Sequence, residues 1–484
     1  MPPTDQRLDG ALALTRFGLG ARPGELEAVA GDPRGWLTAQ IRPSGAPLPP
    51  GNLPTSDQRL ARLAEYRQSS SAARQARGAA PGDMSGSPAQ AAFDARRDVR
   101  RDLVRDTAEA FLARARLGAL TPDGFAERWA LFWANALTVS ATKFQSAVFM
   151  GQYENEAIRP HVFGRFEDLL LAAESHPAML MYLDQAQSIG PDSLAGQRRN
   201  AGLNENLARE ILELHTVGAD GGYDQADVTE LARALTGWSV AGQGVGQGGG
   251  RVGARRAMPT DAAGANGFVF RPVLHEPGER TVLGRRYPAG GREQGDAILR
   301  DLAARPETAR RLARRIALHF VSDDPPADLV KGLETAWVRS GGRLDQVARA
   351  LITAPEAWRP APAKMKVPYD FMISTHRAFD TAPQRIQGLQ PPLAALGQPA
   401  WAPPSPEGWP DMAADWAGPD ALVKRLEWAS AAADAAQGVN EPLRVADGAL
   451  GARLSERTRM AVARAESRPE ALTLFLMSPE FQRR

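Results

Sequence analysis

Cysteine is absent from the 484-residue sequence, and histidine occurs only six times. The lack of cysteine excludes disulfides, thiolate nucleophiles and cysteine-ligated zinc or iron–sulfur sites. It leaves the redox compartment open, because a chain without cysteine is at home on either side of a membrane.

Lysine and long apolar runs are scarce too. The pI of about 9.0 comes from arginine, and we interpret the arginines as a composition bias. A net charge of only +2 gives no strong electrostatic argument for nucleic acid or an anionic membrane as partner. No run approaches the ~18 apolar residues that a spanning helix needs, and no basic region followed by an apolar stretch marks an export signal. We therefore expect a cytoplasmic protein. Lysine stands only at Lys143, Lys331, Lys364, Lys366 and Lys424.

Helical periodicity dominates what is present. Apolar residues at helical spacing predict long helices over residues 89–117, 125–139 and 158–173, and shorter helices over 292–303, 308–320, 328–340 and 344–353. Trp129, Phe132 and Trp133 are predicted to be core residues. Two segments of low complexity, 69–88 and 241–267, are predicted to be a flexible linker and a Gly-rich flexible insertion. Residues 391–416, rich in proline and tryptophan, are predicted to form an irregular ordered strap across the helices.

The strongest strand signal lies in residues 268–274 and 281–287, which flank a bend at His275 to Gly278. A Pro-Gly pair suits a tight turn, so the pattern predicts a β-hairpin with His275 at its bend. The predicted fold is mainly α, a single large multi-helical domain over residues 1–484 with a small β-hairpin.

Residues 204–238 concentrate charge and carry clear helix boundaries. At ~100° per residue, Leu207 and Ile211 lie on an apolar stripe, and His215 lies in the same arc, far round the helix from Glu210 and Glu213. A metal site built from this helix alone is therefore not supported. Gly218 suits a left-handed cap at the end of this helix, and Asp224 with Asp227 suits a cap at the start of the next.

The polar arc of this helix has three interpretations. Glu205, Arg209 and Glu213 form surface ion pairs at i,i+4 spacing, or Arg209 is clamped between carboxylates in a buried network. In the third, Glu210 or Glu213 joins His275 or His161 in a metal or acid–base site.

The histidines and their neighbours have alternatives of their own. A lone histidine on an apolar face is usually a hydrogen-bonded core residue, which is the simpler interpretation of His215. His275 is either a solvated turn residue or a functional residue beside Glu276. Arg271 and Arg280 would make that bend an anion-binding corner. No Gly-x-Ser-x-Gly elbow is present, which argues against serine-nucleophile catalysis.

The stretch NENLARE-ILELHTVG-ADGGYDQADVTELARALTGW resembles the Domain of Unknown Function 1800 family. Supporting motifs are RFGLGARPGE, HPAMLMYLD, HEPGERTVLG, HFVSDDPP, WAPPSPEGWPD and SPEFQRR. The resemblance implies a bacterial, largely helical protein without an established reaction. It also implies export as the alternative location, and a protein partner from a neighbouring family similar to alkaline phosphatases. At FWANALTVS the family pattern has FW-x-N-H-F, so Ala136 stands where a histidine is common, and a site that uses this histidine would be incomplete or differently built here.

Two functions follow as hypotheses. The first is a helical scaffold or partner-binding protein. The second is a metal-assisted or acid–base enzyme with catalytic residues Glu210, Glu213, His215 and His275 and binding residues Asn204, Glu205, Arg209 and Arg280. The sequence names neither a metal nor a cofactor.

Overall fold

Helices make up most of the protein, as the computed structural model shows, and the predicted mainly-α fold is confirmed. The structure describes residues 4–77, 88–198, 202–242, 265–360 and 364–484. Within these ranges, none of the helices has the length and apolar character that a membrane crossing requires.

The first half of the chain contains twelve α-helices in its described ranges. They are α1 Thr4–Leu12, α2 Glu25–Val29, α3 Pro33–Ala39, α4 Ser56–Arg77, α5 Pro88–Leu120, α6 Gly124–Ala136, α7 Phe144–Ala147, α8 Met150–Gln152, α9 Phe166–Ser175, α10 Pro177–Tyr182, α11 Asn206–Glu210 and α12 Gln225–Leu235. Three π-helical segments, Ala13–Phe17, Tyr153–Ile158 and Ile211–His215, directly follow α1, α8 and α11.

The second half is helical as well. Its helices are α13 Arg292–Ala304, α14 Pro306–Phe320, α15 Ala327–Ser340, α16 Leu344–Thr353, α17 Pro368–Ala378, α18 Gln390–Ala395, α19 Ala413–Trp416, α20 Pro419–Ala435, α21 Pro442–Leu450, α22 Glu456–Ala463, α23 Arg468–Leu476 and α24 Pro479–Gln482. The helices predicted over 89–117, 125–139 and the four ranges between 292 and 353 are confirmed. The helix predicted over 158–173 begins only at Phe166, because turns occupy residues 159–164.

The predicted hairpin between residues 268–274 and 281–287 is wrong in its pairing. Strand β2 (Phe268–Phe270) pairs instead with β1 (Trp238–Val240), antiparallel and with Trp238 opposite Phe270. Strands β3 (Arg280–Val282) and β4 (Arg285–Tyr287) form their own hairpin. Its two-residue turn, Leu283-Gly284, has positive φ at both positions, as a tight hairpin turn requires. Residues 281–287, predicted to be a single strand, therefore contain the end of β3, the turn and all of β4.

The two segments predicted to be flexible lie largely outside the described residues, which omit 78–87 and 243–264. Residues 69–77, where a linker was predicted, continue helix α4, and α5 begins at Pro88. The α4 and α5 helices pack against each other.

The core is built around the aromatic residues of α6. Trp129, Phe132 and Trp133 are at most 1% exposed, as predicted. The ring of Trp129 stacks on Phe163 with centroids 6.4 Å apart, and its centroid lies 5.8 Å from that of Phe320 on α14. Complete burial of each such side chain contributes about 2–3 kcal/mol. This packing fixes α6 against α14.

The predicted strap is formed by residues 396–412, whereas the ends of the predicted range, 391–395 and 413–416, are helical and belong to α18 and α19. After α18 the chain runs without regular structure to α19, and it packs over α6 and α14. Helix α17 and helices α20 to α24 form a second, smaller core. In it, the ring of Phe481 contacts those of Phe371 and Phe475.

Buried arginines connect parts of the chain that are far apart in sequence. Arg377 donates to the carbonyl oxygens of Gly20, Gly118 and Thr121, and it pairs with Glu25 at 2.8 Å. Arg128 similarly joins the carbonyl of Gly18 to Asp370. Both guanidinium groups are buried. These arginines therefore have a structural role, which the interpretation of the arginines as a composition bias did not include.

Candidate functional site

The helix that carries Glu210, Glu213 and His215 is not a regular α-helix. It changes from α-helix to π-helix after Glu210. In a π-helix the i→i+5 hydrogen bond places residues five apart one above the other. Glu210 and His215 therefore lie near each other, and His215 affects the pKa of Glu210. The expectation that they lie far apart, based on regular α-helical geometry, is corrected.

His215 is completely buried, as the core interpretation predicted, but neither ring nitrogen has a hydrogen-bond partner among the described residues, so the hydrogen-bonded part of that interpretation is wrong. The ring faces a second buried ionisable group. Its Nδ1 lies 2.8 Å from Oε1 of Glu174 on α9, and both side chains are 0% exposed. The two atoms do not meet hydrogen-bond geometry, so the contact is mainly electrostatic. Sequence reasoning missed Glu174. Its signal was available, because Glu174 follows Leu170 by four residues and so falls on the apolar stripe of α9.

Glu210 lies close enough to this buried pair for both members to affect its pKa, and Glu213 affects it as well. Burial raises the pKa of Glu210, and Glu213 and Glu174 add to the effect. Burial also raises the pKa of Tyr182 to about 12, with Glu210 contributing. Glu213 lies 3.6 Å from Arg209. The arrangement is an acidic cluster whose members range from completely buried to about one-third exposed.

The predicted binding residues of the same stretch have local structural partners. Glu205 accepts hydrogen bonds from Gln225 and Thr229, which lower its pKa, and Arg209 pairs with Glu205 at 3.5 Å. Asn204 accepts from the backbone of Asn206 and donates to the carbonyl of Leu183. The i,i+4 ion-pair interpretation therefore describes this surface.

The two caps predicted around this stretch are also present. Gly218 has φ of 89° at the end of the π segment. Asp224 and Asp227 form a reciprocal capping box at the start of α12.

His275 does not meet the glutamates and is not at a hairpin bend. It is 8% exposed, its Nδ1 donates to the carbonyl of Thr236 at 2.8 Å, and its ring packs on Phe270. Arg280 is also occupied, by Glu230 and by the carbonyls of Glu276 and Pro277. The two residues hold the β-strand region against α12, so the predicted anion-binding corner is not formed by Arg280.

The remaining candidate histidine, His161, is half-buried. Burial lowers its pKa and Asp168 opposes that effect. In the part of the chain that the structure describes, no group of three or more histidine, aspartate or glutamate side chains is arranged to hold a metal ion.

A different group of residues surrounds a pocket under the strap. The pocket has a volume of about 100 Å³, which is room for several water molecules or a small ligand. Its walls come from α5, α6, α14, α17 and the strap. Residues that line it include Asn135, Glu154, His319, Tyr369, Trp401 and Asp411.

His319 and Asp411 form a dyad on the wall of this pocket. Nδ1 of His319 lies 2.7 Å from Oδ1 of Asp411, and the two side chains are 13% and 11% exposed. Nε2 of His319 is buried and has no hydrogen-bond partner among the described residues. The partner on Nδ1 fixes the tautomer, because an N–H there donates to the carboxylate and leaves a lone pair on Nε2.

Electrostatics keep this dyad in its neutral-histidine form. Burial, together with the positive charges of Arg484 and Arg128, lowers the pKa of His319 to about 4 although Asp411 opposes them. Burial disfavours ionisation of Asp411, but His319, Arg315 and Lys364 hold its pKa well below the usual value. At neutral pH the pair is therefore an imidazole that donates to a carboxylate.

The opposite wall presents aromatic rings and paired charges. Glu154 accepts from Arg114 at 2.8 Å and from the indole of Trp401 at 2.7 Å. The Arg114 guanidinium lies 4.6 Å from the centre of the Tyr369 ring. Burial raises the pKa of Tyr369, so its phenol keeps its proton and is a neutral hydrogen-bond donor.

The strap is held over the pocket at closely fitted points. The side chain of Asn135 exchanges hydrogen bonds with the backbone N–H and C=O of Trp409. Gly408 has φ of 94°, and a Cβ there would meet the carbonyl oxygen of Asn135 at 2.5 Å, so only glycine fits. Trp401 has φ of 51°, a strained value for a bulky side chain, and such outliers concentrate at functional sites.

Helix α14 connects the pocket to the central stretch. Arg311, Arg315 and His319 follow each other at i,i+4 spacing and lie on one face. Arg311 donates to the carbonyl of Leu214 in the π segment, Arg315 to the carbonyl of Ala136, and His319 to Asp411. Ala136, where the resemblance implies a histidine, is thus next to the pocket residue Asn135 and has its backbone tied to α14.

Sequence reasoning weighed neither His319 nor Asp411. The signal was present in two of the motifs that carry the resemblance, since HFVSDDPP begins with His319 and WAPPSPEGWPD runs from Trp401 to Asp411. Because 91 residues separate the two, only the fold shows that they meet.

No curated protein and no solved structure matches the chain, so neither bears on what it does. The family comparison covers almost all of it, including α6, α14 and the strap. The chain belongs to the family described as "Protein of unknown function (DUF1800)", which matches residues 12–483.

Proposed function

We propose that the protein is an acid–base enzyme that acts on a small molecule in the pocket under the strap, with His319 as the general base. The observation that carries the proposal is the dyad: Asp411 accepts from Nδ1 of His319, a residue of the pocket wall, and Nε2 has no hydrogen-bond partner among the described residues. Oriented imidazoles of this kind take protons from water or from substrate hydroxyl groups.

The reaction class that suits these residues is hydrolysis by an activated water. Nε2 of His319 takes a proton from the water as its oxygen bonds to the electrophilic atom, and the imidazolium then gives the proton to the leaving group. Asp411 stabilises the imidazolium while it exists. The protonated phenol of Tyr369 can donate a hydrogen bond to the oxygen that gains negative charge. The aromatic rings of Phe111, Trp401 and Trp409 supply apolar contact for the substrate.

The deciding experiment compares wild type with His319→Asn, because asparagine keeps a donor to Asp411 but has no base at the position of Nε2. Purified protein is assayed on chromogenic esters, phosphate esters and glycosides. We expect one class to be hydrolysed, with kcat lowered about 100-fold or more in the variant. Carbethoxylation of His319 by diethyl pyrocarbonate, read by mass spectrometry, tests its accessibility independently. Turnover that survives His319→Asn refutes the proposal, and so does a His319 that is inert to both tests.

Partner binding is a second candidate, favoured by an exposed apolar stripe on α20. Leu422, Val423 and Leu426 are 39%, 55% and 47% exposed, while the buried face of the same helix carries Arg425 and Ala429. Apolar residues that face solvent at i,i+4 spacing are typical of a surface that another protein covers. The proposed partner is the neighbouring protein similar to alkaline phosphatases that the family resemblance implies.

This second candidate is tested with the double variant Leu422→Glu and Leu426→Glu, which adds two negative charges to the apolar stripe. We expect wild type to co-elute with the phosphatase-like protein in size-exclusion chromatography and the double variant to elute alone. Lys424→Glu on the same helix is the control for added charge. Co-elution that is equal in the double variant would show that α20 is not the binding surface.

A further inference from the structure

A groove rich in arginine lies beside the strap pocket. Arg311, Arg314 and Arg315 of α14 line one side, and strap residues line the other. Trp409, Pro410 and Asp411 belong to the walls of both the groove and the pocket. A molecule in the groove would therefore be separated from the pocket only by the width of these strap side chains.

The charges of these arginines are not neutralised by salt bridges. Arg311 donates to the carbonyl of Leu214, and Arg315 donates to the carbonyls of Asn135, Ala136 and Glu407. Within the described ranges none of the three guanidinium groups lies within salt-bridge distance of a carboxylate, and Arg314 is exposed to solvent. Elsewhere in the chain, the partly buried Arg114 and the buried Arg159 pair directly with glutamates.

Holding positive charge in this way is costly. Burial lowers the pKa of Arg311 to about 10 and also lowers that of Arg315, so both remain protonated at neutral pH. The carboxylates of Glu407, Asp411 and Asp415 also line the groove. Glu407 partly offsets the effect of burial on the pKa of Arg311, and Asp411 and then Glu407 do so for Arg315. These carboxylates lie beyond salt-bridge distance, so a bound ligand of negative charge that made direct contact would stabilise the two guanidinium groups further.

We propose that this groove binds an oxyanion, a carboxylate or phosphate group of the substrate, while the reacting part of the substrate enters the pocket beside His319. The link to the pocket rests on the function proposed above. Guanidinium groups suit this ligand, because their planar N–H donors match the oxygen atoms of carboxylate and phosphate in pairs.

The placement on one helix supports the same assignment. Arg311, Arg315 and His319 stand about 6 Å apart along α14, one step of four residues at a time. A recognition group and a general base on one rigid helix keep a fixed separation, which a site requires for positioning. The substrate would then be a small molecule with an anionic end and a hydrolysable bond one or two turns away.

The test uses inorganic phosphate as probe and the line width of its ³¹P resonance as readout, at constant ionic strength set with potassium chloride. Arg314→Gln is the main variant, because its side chain is exposed and its loss leaves the fold intact. Arg339→Gln, an exposed arginine of α15, is the matched control. We expect wild type and Arg339→Gln to broaden the resonance equally and Arg314→Gln to bind about five- to tenfold more weakly.

Two further variants separate this inference from the proposed function. Arg311→Lys keeps the charge but loses the paired donors, and weaker phosphate binding in it supports the groove. His319→Asn is expected to bind phosphate as wild type does, even though it loses turnover. Repeating the titration with ¹³C-labelled acetate shows whether phosphate or carboxylate is preferred.

The inference is overturned if the wild-type protein broadens neither the phosphate nor the acetate resonance. It is also overturned if Arg314→Gln and Arg339→Gln bind phosphate with equal affinity. If turnover requires His319 but the protein binds no oxyanion, the groove proposal fails and the proposed role of His319 as general base stands. If the protein binds an oxyanion but its turnover does not depend on His319, the general-base proposal fails and the groove proposal stands.

Discussion

At the scale of single residues, His319 shows how burial and a partner determine the state of a titratable group. Its hydrogen bond to Asp411 favours the charged imidazolium, but burial and the positive charges of Arg484 and Arg128 outweigh that partner. A histidine with a low pKa is a weak base that is fully available at neutral pH, since almost none of it is protonated.

The low pKa of His319 predicts a pH dependence of stability. The folded value is about 4 and the ordinary value is 6.5, so the unfolded chain binds this proton first as pH falls. The contribution is fully present above pH 6.5 and is lost as pH falls towards 4, by about 3 kcal/mol in total. In urea titrations we expect the unfolding free energy of His319→Asn to depend less on pH between 6.5 and 4. An imidazole resonance of His319 that titrates near 6.5 would contradict this explanation.

A second prediction concerns the fully buried pair His215 and Glu174. Removing one member leaves the other buried without a partner, so Glu174→Leu or His215→Leu alone is expected to lower the free energy of unfolding by about 3 kcal/mol or more. Replacing both, as Glu174→Leu with His215→Leu, should cost less than the sum of the single changes. Chemical denaturation of the four proteins gives the coupling energy. Additive effects would mean that the two side chains do not stabilise each other.

At the scale of elements, regular helices were predictable and departures from them were not. Apolar spacing located α5, α6 and α13 to α16, because each buries one face in the core. The π segment Ile211–His215 was missed, since a change of helical period by a single residue leaves no pattern in composition. That one change altered which side chains lie near His215. Residues 268–287 were also mispaired, because strand partners are decided by contacts outside the segment.

The strap provides a test of fit at this scale. Gly408 and Gly397 both have φ near 90°, but a Cβ at 408 would meet Asn135 at 2.5 Å, while nothing lies within 4 Å at 397. Gly397→Ala therefore measures the cost of the backbone conformation alone, about 1 kcal/mol. Gly408→Ala adds the collision, and we expect a total cost of about 3 kcal/mol. Thermal unfolding compares the two. Equal losses would show that the strap moves easily off α6.

At the scale of the whole molecule, buried arginines connect segments that are far apart in sequence, and the composition did not reveal these connections. The sequence suggested that they reflect base composition, and no periodic pattern marks a side chain that reaches across the fold. His319 and Asp411 escaped prediction for the same reason, because both the pocket and these connections are made by residues far apart in the chain. What could be predicted was the family, the mainly-α fold and the strap, each of which depends on contiguous sequence.

These connections predict that lysine cannot replace Arg377. Its guanidinium serves the carbonyls of Gly20, Gly118 and Thr121 together with Glu25, and an ammonium group cannot reach all of them. We expect Arg377→Lys to lower the free energy of unfolding by about 3 kcal/mol, since several buried acceptors lose their donor. Arg339→Lys on the exposed face of α15 should be neutral. A neutral Arg377→Lys would mean that water replaces the lost donors.

The same connections govern the order in which the chain can fold. Arg16 meets Ala357, Arg377 meets Gly20 and Arg453 meets Thr15, over separations of 341, 357 and 438 residues. During synthesis, the first helix and the π turn after it have to wait for partners from the last third of the chain. Contacts of such long range slow folding and prolong the exposure of apolar surface. The amino-terminal segment is therefore expected to gain hydrogen-exchange protection last in refolding, and a newly made chain to depend on chaperones until the last third emerges.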